Sequence, residues 1–349
     1  MILADWAYWQ QTSVRVALGL LVAINIAGAL VYTYLFKAIS FMQSRLGPME
    51  AGPHGSMQLL AEVGKFLQKE DIYPSRADRV LFKAAPYVVF ISTFLLVLVI
   101  PFGPDAWFVN LDVGIYYALA VSSISVIGVL MAGWSSANKY SLLGAIRAAG
   151  QLIAYELPMV LAVVGVVIQA GTMNMQGIVS AQANGEIFGW GALGNPFILT
   201  QFVGFAVFLI SMQAELAQTP FDMPVAESEL VTGYLTEYSG MRFLLFFIAE
   251  FATAGIFSAI AAVLFLGGWS LPFVHWRGPE GIDGLSNLMN VVGPLVLITK
   301  VMALAFIIFW VRFTFPRFRE DQLQRIAWKY LIPISLVNIA ATAIFKVAF

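Results

Sequence analysis

The residues able to do chemistry crowd into one stretch, 214–250, which reads AELAQTPFDMPVAESELVTGYLTEYSGMRFLLFFIAE. It carries Glu215, Asp222, Glu227, Glu229, Glu237 and Glu250 against a single cation, Arg242. Strongly apolar sequence flanks it on both sides. A charged side chain at mid-bilayer costs roughly 2.5–3.5 kcal/mol on insertion scales. Several carboxylates in such a place need water, partners or protonation to offset that cost. Burial raises a carboxyl pKa, a nearby cation lowers it and a like charge raises it again. A row of such groups therefore suits proton transfer, which a group that binds its proton too tightly would stall. Two more ionisable residues belong with them. Glu156 lies between Tyr155 and Pro158, and Lys300 sits deep in an apolar run, where it is a candidate partner for a buried carboxylate. The bland alternative is that these are paired ions serving helix packing. No nucleophile–base arrangement, phosphate loop or metal-ligand spacing accompanies them, so no residue is assigned a catalytic or metal-binding role.

The elements that must position these acids are membrane helices. The chain has 349 residues, 60% hydrophobic and 11% charged, with a mean hydropathy of +0.83. Soluble domains carry about 25% charged residues. The net charge of −1 gives no reason to expect nucleic acid. With no cysteine, the chain offers no disulfide and no thiolate ligand for iron–sulfur clusters. His54 and His275 are too few and too far apart in sequence to suggest a metal centre. The N-terminal MILADWAYWQQTSVRVALGL lacks the cationic region and small-residue cleavage site of a standard signal peptide. No tandem repeat or low-complexity linker appears, and one domain is the simplest organisation.

A spanning helix needs about 20 apolar residues. That predicts eight spans, at about 14–36, 82–101, 113–134, 152–173, 197–213, 242–267, 292–313 and 329–348. Fifteen of the nineteen Lys and Arg fall in the first, third, fifth and seventh loops. The odd loops therefore face the cytoplasm, and both termini face the opposite side. In the first loop, SMQLLAEVGKFLQK (56–69) places Met57, Leu59, Leu60, Val63, Phe66 and Leu67 at helical spacing, as an amphipathic helix in the interface plane does. Residues 137–149 form a second short amphipathic candidate. Trp107, Phe108, Phe188, Trp190, Trp269, Phe273 and Trp276 fit an interfacial aromatic belt. Glu62 and Glu186 read as loop charges. In the seventh loop Arg312, Arg317 and Arg319 alternate with phenylalanine, a pattern suited to lipid headgroups, a neighbouring subunit or a polar ligand head.

Four long blocks then carry a resemblance. AELAQTPFDMPVAESELVTGYLTEYSGM, GWSSANKYSLLGAIRAAGQLIAYELP, RLGPMEAGPHGSMQLLAEVGKFLQKEDIYPSRAD and RFTFPRFREDQLQRIAWKYLIP resemble, in the same order, signatures of the NuoH family. That family is the membrane subunit of proton-pumping NADH–quinone oxidoreductase (complex I), known as subunit 1 in mitochondria. The resemblance covers roughly residues 37–333.

It implies an all-α membrane protein of about eight helices, some tilted, with a cytoplasmic-side amphipathic helix. It implies a quinone chamber shared with the peripheral-arm iron–sulfur subunits, and contact with small membrane subunits leading to the antiporter-like ones. Quinone is then substrate, the iron–sulfur clusters belong to partners, lipids surround the chain, and no cofactor is bound by this chain alone. Carried over by position, Glu156, Glu215, Glu227, Glu229 and Glu250 fall on the acidic proton path, with Lys300 added from its place in the seventh span. Phe221 and Asp222 fall on the quinone-chamber loop, Arg45 and Phe66 near the tail portal, and Arg317 and Arg319 on the basic loop. The location implied is a bacterial inner membrane, ahead of a thylakoid or mitochondrial one. The chain departs from the family pattern at Leu35 and Phe36, where Glu-Arg is usual, and at Met49. It departs again at Ala217-Gln218, where Asn-Arg is usual, and at Val225. Two other classes compete: the membrane anchor of a related hydrogenase or ferredoxin-dependent complex, and a stand-alone transporter, which would show broken inverted repeats.

Overall fold

A computed structural model describes residues 8–185, 195–271 and 283–348, with the backbone alone given for Tyr8, Glu227, Ser228 and residues 283–288. Every regular element among them is helical. The nine main ones are, in chain order, α1 (Trp9–Met42), the amphipathic α2 (Gln58–Gln68), α3 (Arg79–Val97), α4 (Gly114–Ser135), α5 (Lys139–Ala170), α6 (Phe202–Glu215), α7 (Gly240–Phe265), α8 (Met289–Thr314) and α9 (Glu320–Ala348); a ten-residue helix, Met175–Asn184, and a few single turns lie between them. Seven of the nine are long and apolar enough to cross a membrane. The exceptions are α2 and α6.

The helix α6 has 14 residues, about 21 Å at 1.5 Å per residue, against a hydrocarbon core of about 30 Å. The expected fifth span is thus broken: a short helix, Phe197–Thr200, precedes α6 and stops at Gln201. The Gln201 amide is committed sideways, donating to Thr342 Oγ1 at 2.7 Å and accepting from Asn338 Nδ2 at 2.8 Å. It ties this break to α9.

The expected fourth span and the amphipathic candidate at 137–149 form one helix, α5. Asn138 caps it by accepting from Tyr140 N at 2.9 Å, and nothing between residues 149 and 152 interrupts the backbone. Pro158 stands inside it. Gly171, at φ +74°, ends it in the left-handed conformation that glycine adopts without strain.

At the centre lies α7. In lipid, helices associate by close packing and not by water exclusion, so small residues mark the contacts. Along α7, Ala252, Ala254, Gly255, Ala259, Ala261 and Ala262 provide them. A Cβ on Gly255 would stand 2.2 Å from Ile26 Cγ2 of α1. Helices α1, α3 and α8 pack around it.

One residue left unassigned finds its partner, and one expectation needs correction. Arg242 does not serve the acids of its own loop. It is buried at the start of α7, pairs with Asp71 at 2.7 Å and lies 3.9 Å above the Tyr73 ring, fastening the first loop to α7. Trp269 is no interfacial anchor: it is fully buried, and its indole N–H donates to Gln176 Oε1 at 3.1 Å. Trp107 is exposed, beneath Arg15. Glu186, Phe188, Trp190, Phe273, His275 and Trp276 lie outside the described residues.

Candidate functional site

The site is organised on the two sides of α7. At 3.6 residues per turn, Phe243, Leu244, Phe247 and Ile248 share one side, and Phe246, Ala249, Glu250 and Thr253 share the other. The first set lines an apolar cavity of about 220 Å³, completed by Ala27 and Val31 of α1 and by Leu59, Glu62 and Phe66 of α2. The second set lines a smaller cavity of about 80 Å³ that contains Glu215, Glu250, Thr93, Thr253 and Tyr234.

On the apolar side, Phe66 stacks on Phe243 with ring centres 5.6 Å apart. Lys65 and Lys69 flank the Phe66 ring at 5.3 and 5.1 Å. At the rim, hydrogen bonding from Lys65 at 2.5 Å holds the Glu62 carboxyl below its ordinary range. Arg45 lines neither cavity; it is exposed, and its Nε donates to Gln43 Oε1 at 2.8 Å.

On the polar side, Glu250 Oε1 accepts from Gln218 Nε2 at 2.9 Å. Arg312 Nη1 stands 3.8 Å from the same oxygen and donates to Gln218 Oε1 at 2.8 Å. Gln218 thus sits between the cation and the acid. Glu215, at the C-terminal end of α6, has no hydrogen-bond partner for its buried Oε2 among the described residues. Its like-charged neighbour is Glu156, which accepts from Ser123 Oγ. The hydroxyls of Thr93 and Thr253 meet at 2.9 Å in the cavity wall. Burial, and then the negative charges of Glu250 and Asp222, hold the Tyr234 phenol well above its ordinary value.

The loop between α6 and α7 is fixed to the rest by arginines. Asp222 Oδ2 pairs with Arg317 Nη2 at 3.0 Å. Arg147 of α5 lies 2.8 Å from Glu229 and 3.6 Å from Glu320. Phe221 is buried between Tyr155 and Phe318, with ring centres at 5.3 and 5.5 Å.

The structure thus brings Glu215 and Glu250 into one cavity and sets Glu156 and Asp222 beside them. It does not gather everything the sequence offered. Glu229 is half exposed on the Arg147 side. Arg319 is exposed and turned to Asp321 at 2.8 Å. The Glu227 side chain lies outside the described residues. Lys300 is the clear correction. Its ammonium donates to the carbonyls of Leu266, Gly268 and Ser270 at 2.7, 2.8 and 2.7 Å. All of its protons are spent on backbone oxygens where α7 ends, and it pairs with no carboxylate among the described residues.

Hydrogen bonds to a charged donor are worth about 1.5–3 kcal/mol each. Lys300→Met is therefore expected to lower the amount of assembled protein in membranes, measured on native gels, with turnover per assembled complex unchanged. Loss of turnover at full assembly would return Lys300 to the proton path.

Sequence reading missed Gln218, Tyr234 and Arg147 as members of the site. It also passed over Thr93 and Thr253, although hydroxyls inside apolar spans are a visible signal.

Comparison with known proteins fits this arrangement. The sequence pattern of a family described as NADH dehydrogenase matches residues 15–343. The NuoH protein of the NADH-quinone oxidoreductase of Brevibacillus brevis is 44% identical, over 96% of this chain and 94% of its own length. Its counterpart in Geobacillus thermodenitrificans is 41% identical, over 98% and 97%. The one in Anaeromyxobacter dehalogenans is 41% identical, over 98% and 84%. With a family match along nearly its whole length and relatives 41–44% identical over most of theirs, the chain belongs to the NuoH family.

Proposed function

We propose that this chain is the membrane subunit of a complex I-type, proton-translocating quinone oxidoreductase. It contributes the membrane side of the quinone chamber and couples quinone reduction to proton movement through Glu215 and Glu250. The observation that carries this reading is the partition made by α7, with an apolar cavity on one side and a carboxylate cavity on the other. The apolar cavity suits the isoprenoid tail of a quinone. Phe221, Asp222 and Arg317 stand at the loop where a head group would meet partner subunits. Gln218 and Arg312 then link that loop to Glu250. Charge change near Asp222 is felt at Glu250 because the Asp222–Arg317 pair and the Arg312–Gln218–Glu250 chain share one loop.

In this reading electrons come from iron–sulfur clusters of peripheral-arm partners, since this chain has no cysteine and no metal-binding group of acids or histidines among its described residues. Adjacent small membrane subunits receive the protons, and the complex sits in a bacterial inner membrane with both termini of this chain away from the cytoplasm.

The test uses the intact complex. Phe66→Trp narrows the apolar cavity. It is expected to raise KM several-fold for a long-tailed quinone while leaving a short-tailed analogue near the parent value. An equal effect on both, or on neither, contradicts a tail path between α1, α2 and α7.

A further inference from the structure

A third cavity shares only the Phe221 wall with this scheme. It measures about 320 Å³ and lies between α6, α8 and the start of α9, with Ile210, Gln213, Phe221, Ile307, Phe318 and Ile326 among its walls. It opens at the molecular surface, since Ile210 and Ile307 are both more than a third exposed. Its lining is hydrocarbon except for Gln213, whose amide already donates to the carbonyls of Thr219 and Ile308. A quinone head needs donors for its carbonyl oxygens, and this groove has no uncommitted one among the described residues. A hydrocarbon chain needs none.

The charges beside Ile326 narrow the occupant further. Arg325 directly precedes Ile326 of the lining, and Lys329 follows one turn later; both are exposed. The two acids nearby are taken, Asp321 by Arg319 and Glu320 by Arg147. Arg325 and Lys329 form no ion pair among the described residues. Exposed Trp310, Trp328 and Tyr330 stand on α8 and α9, and such amphipathic rings favour the headgroup layer.

We propose that this groove seats one acyl chain of an anionic phospholipid, whose phosphate is held by Arg325 and Lys329. Two uncompensated cations at the mouth of an apolar groove complement a negative headgroup above a hydrocarbon tail. The site is separate from the quinone reading and stands or falls without it.

The test reconstitutes the intact complex in vesicles carrying a trace of diazirine-tailed phosphatidylglycerol or, in parallel, diazirine-tailed phosphatidylcholine. After photolysis, labelled peptides of this chain are mapped by mass spectrometry. Phosphatidylglycerol is expected to label the segments around Ile307 and Phe315 about tenfold more than phosphatidylcholine. The double variant Arg325→Gln, Lys329→Gln removes that preference, and raised salt weakens it in the parent complex. Ile307→Trp fills the groove and removes the label with both lipids; Ile210→Trp, on the facing wall, serves if that variant fails to assemble. Equal labelling by the two lipids overturns the proposal. So does a preference untouched by the double variant, or a groove that labels with neither lipid because a partner subunit or a quinone tail fills it.

Discussion

Glu215→Gln is expected to lower quinone reduction and proton pumping together by at least about tenfold, with the complex still assembled. A factor of ten is about 1.4 kcal/mol of barrier. The argument rests on what surrounds the carboxyl. Glu215 lines the polar cavity with Glu250, and its Oε2 finds no donor among the described residues. A residue kept for packing would be a paired ion, and no cation stands against this one among the described salt bridges. Glutamine keeps the shape and polarity of the side chain but cannot take up or release a proton. The packing explanation expects the opposite outcome, since a carboxyl buried without a partner costs free energy that an apolar side chain of similar size does not. Glu215→Leu would then assemble and turn over normally. NADH- or ferredoxin-driven quinone reduction and pumping in inverted vesicles measure both quantities. Full activity in the glutamine variant removes Glu215 from the coupling path.

The second large effect is on assembly. Gly233→Ala is expected to cost more than about 4 kcal/mol and leave little assembled complex on native gels. Gly233 sits at φ +56°, and a Cβ there would lie 1.8 Å from the Pro224 carbonyl oxygen. That atom is backbone and cannot swing away. Helix α5 presses on the same point: a Cβ on Gly144 would meet Gly233 Cα and Pro224 O at 2.8 Å each. Pro224 and Tyr234 are walls of the Glu215–Glu250 cavity, so these two glycines set the distance between α5 and the site. Gly64→Ala on α2 is the control. Nothing lies within 4 Å of its Cβ position, and alanine favours a helix over glycine by about 1 kcal/mol. Normal assembly of Gly233→Ala would mean that the loop 220–235 rearranges freely.

How much of this was legible beforehand follows from what kind of information each feature needs. Seven of the apolar spans and α2 are periodic, local signals, and their presence was readable. The acid cluster was readable because charges in an apolar context stand out by type alone. The break at Gln201 was not, because it depends on Asn338 and Thr342 far along the chain. Nor was the fate of Lys300, where a cation in an apolar span suggested a carboxylate partner and the structure supplies three carbonyls. Gln218 departs from the family's usual arginine, and only the geometry shows it placed between Arg312 and Glu250. Its amide donates to the acid and accepts from Arg312.

The most direct measurement is a density map of the intact membrane assembly, sharp enough to resolve ordered water around α7. Proton coupling through this chain predicts water in the space shared by Glu215 and Glu250, reaching toward the Asp222 loop, with no cation within about 4 Å of Glu215. A dry cavity, in which a partner subunit supplies Glu215 with its own lysine or arginine and closes the way to the quinone side, would contradict the account.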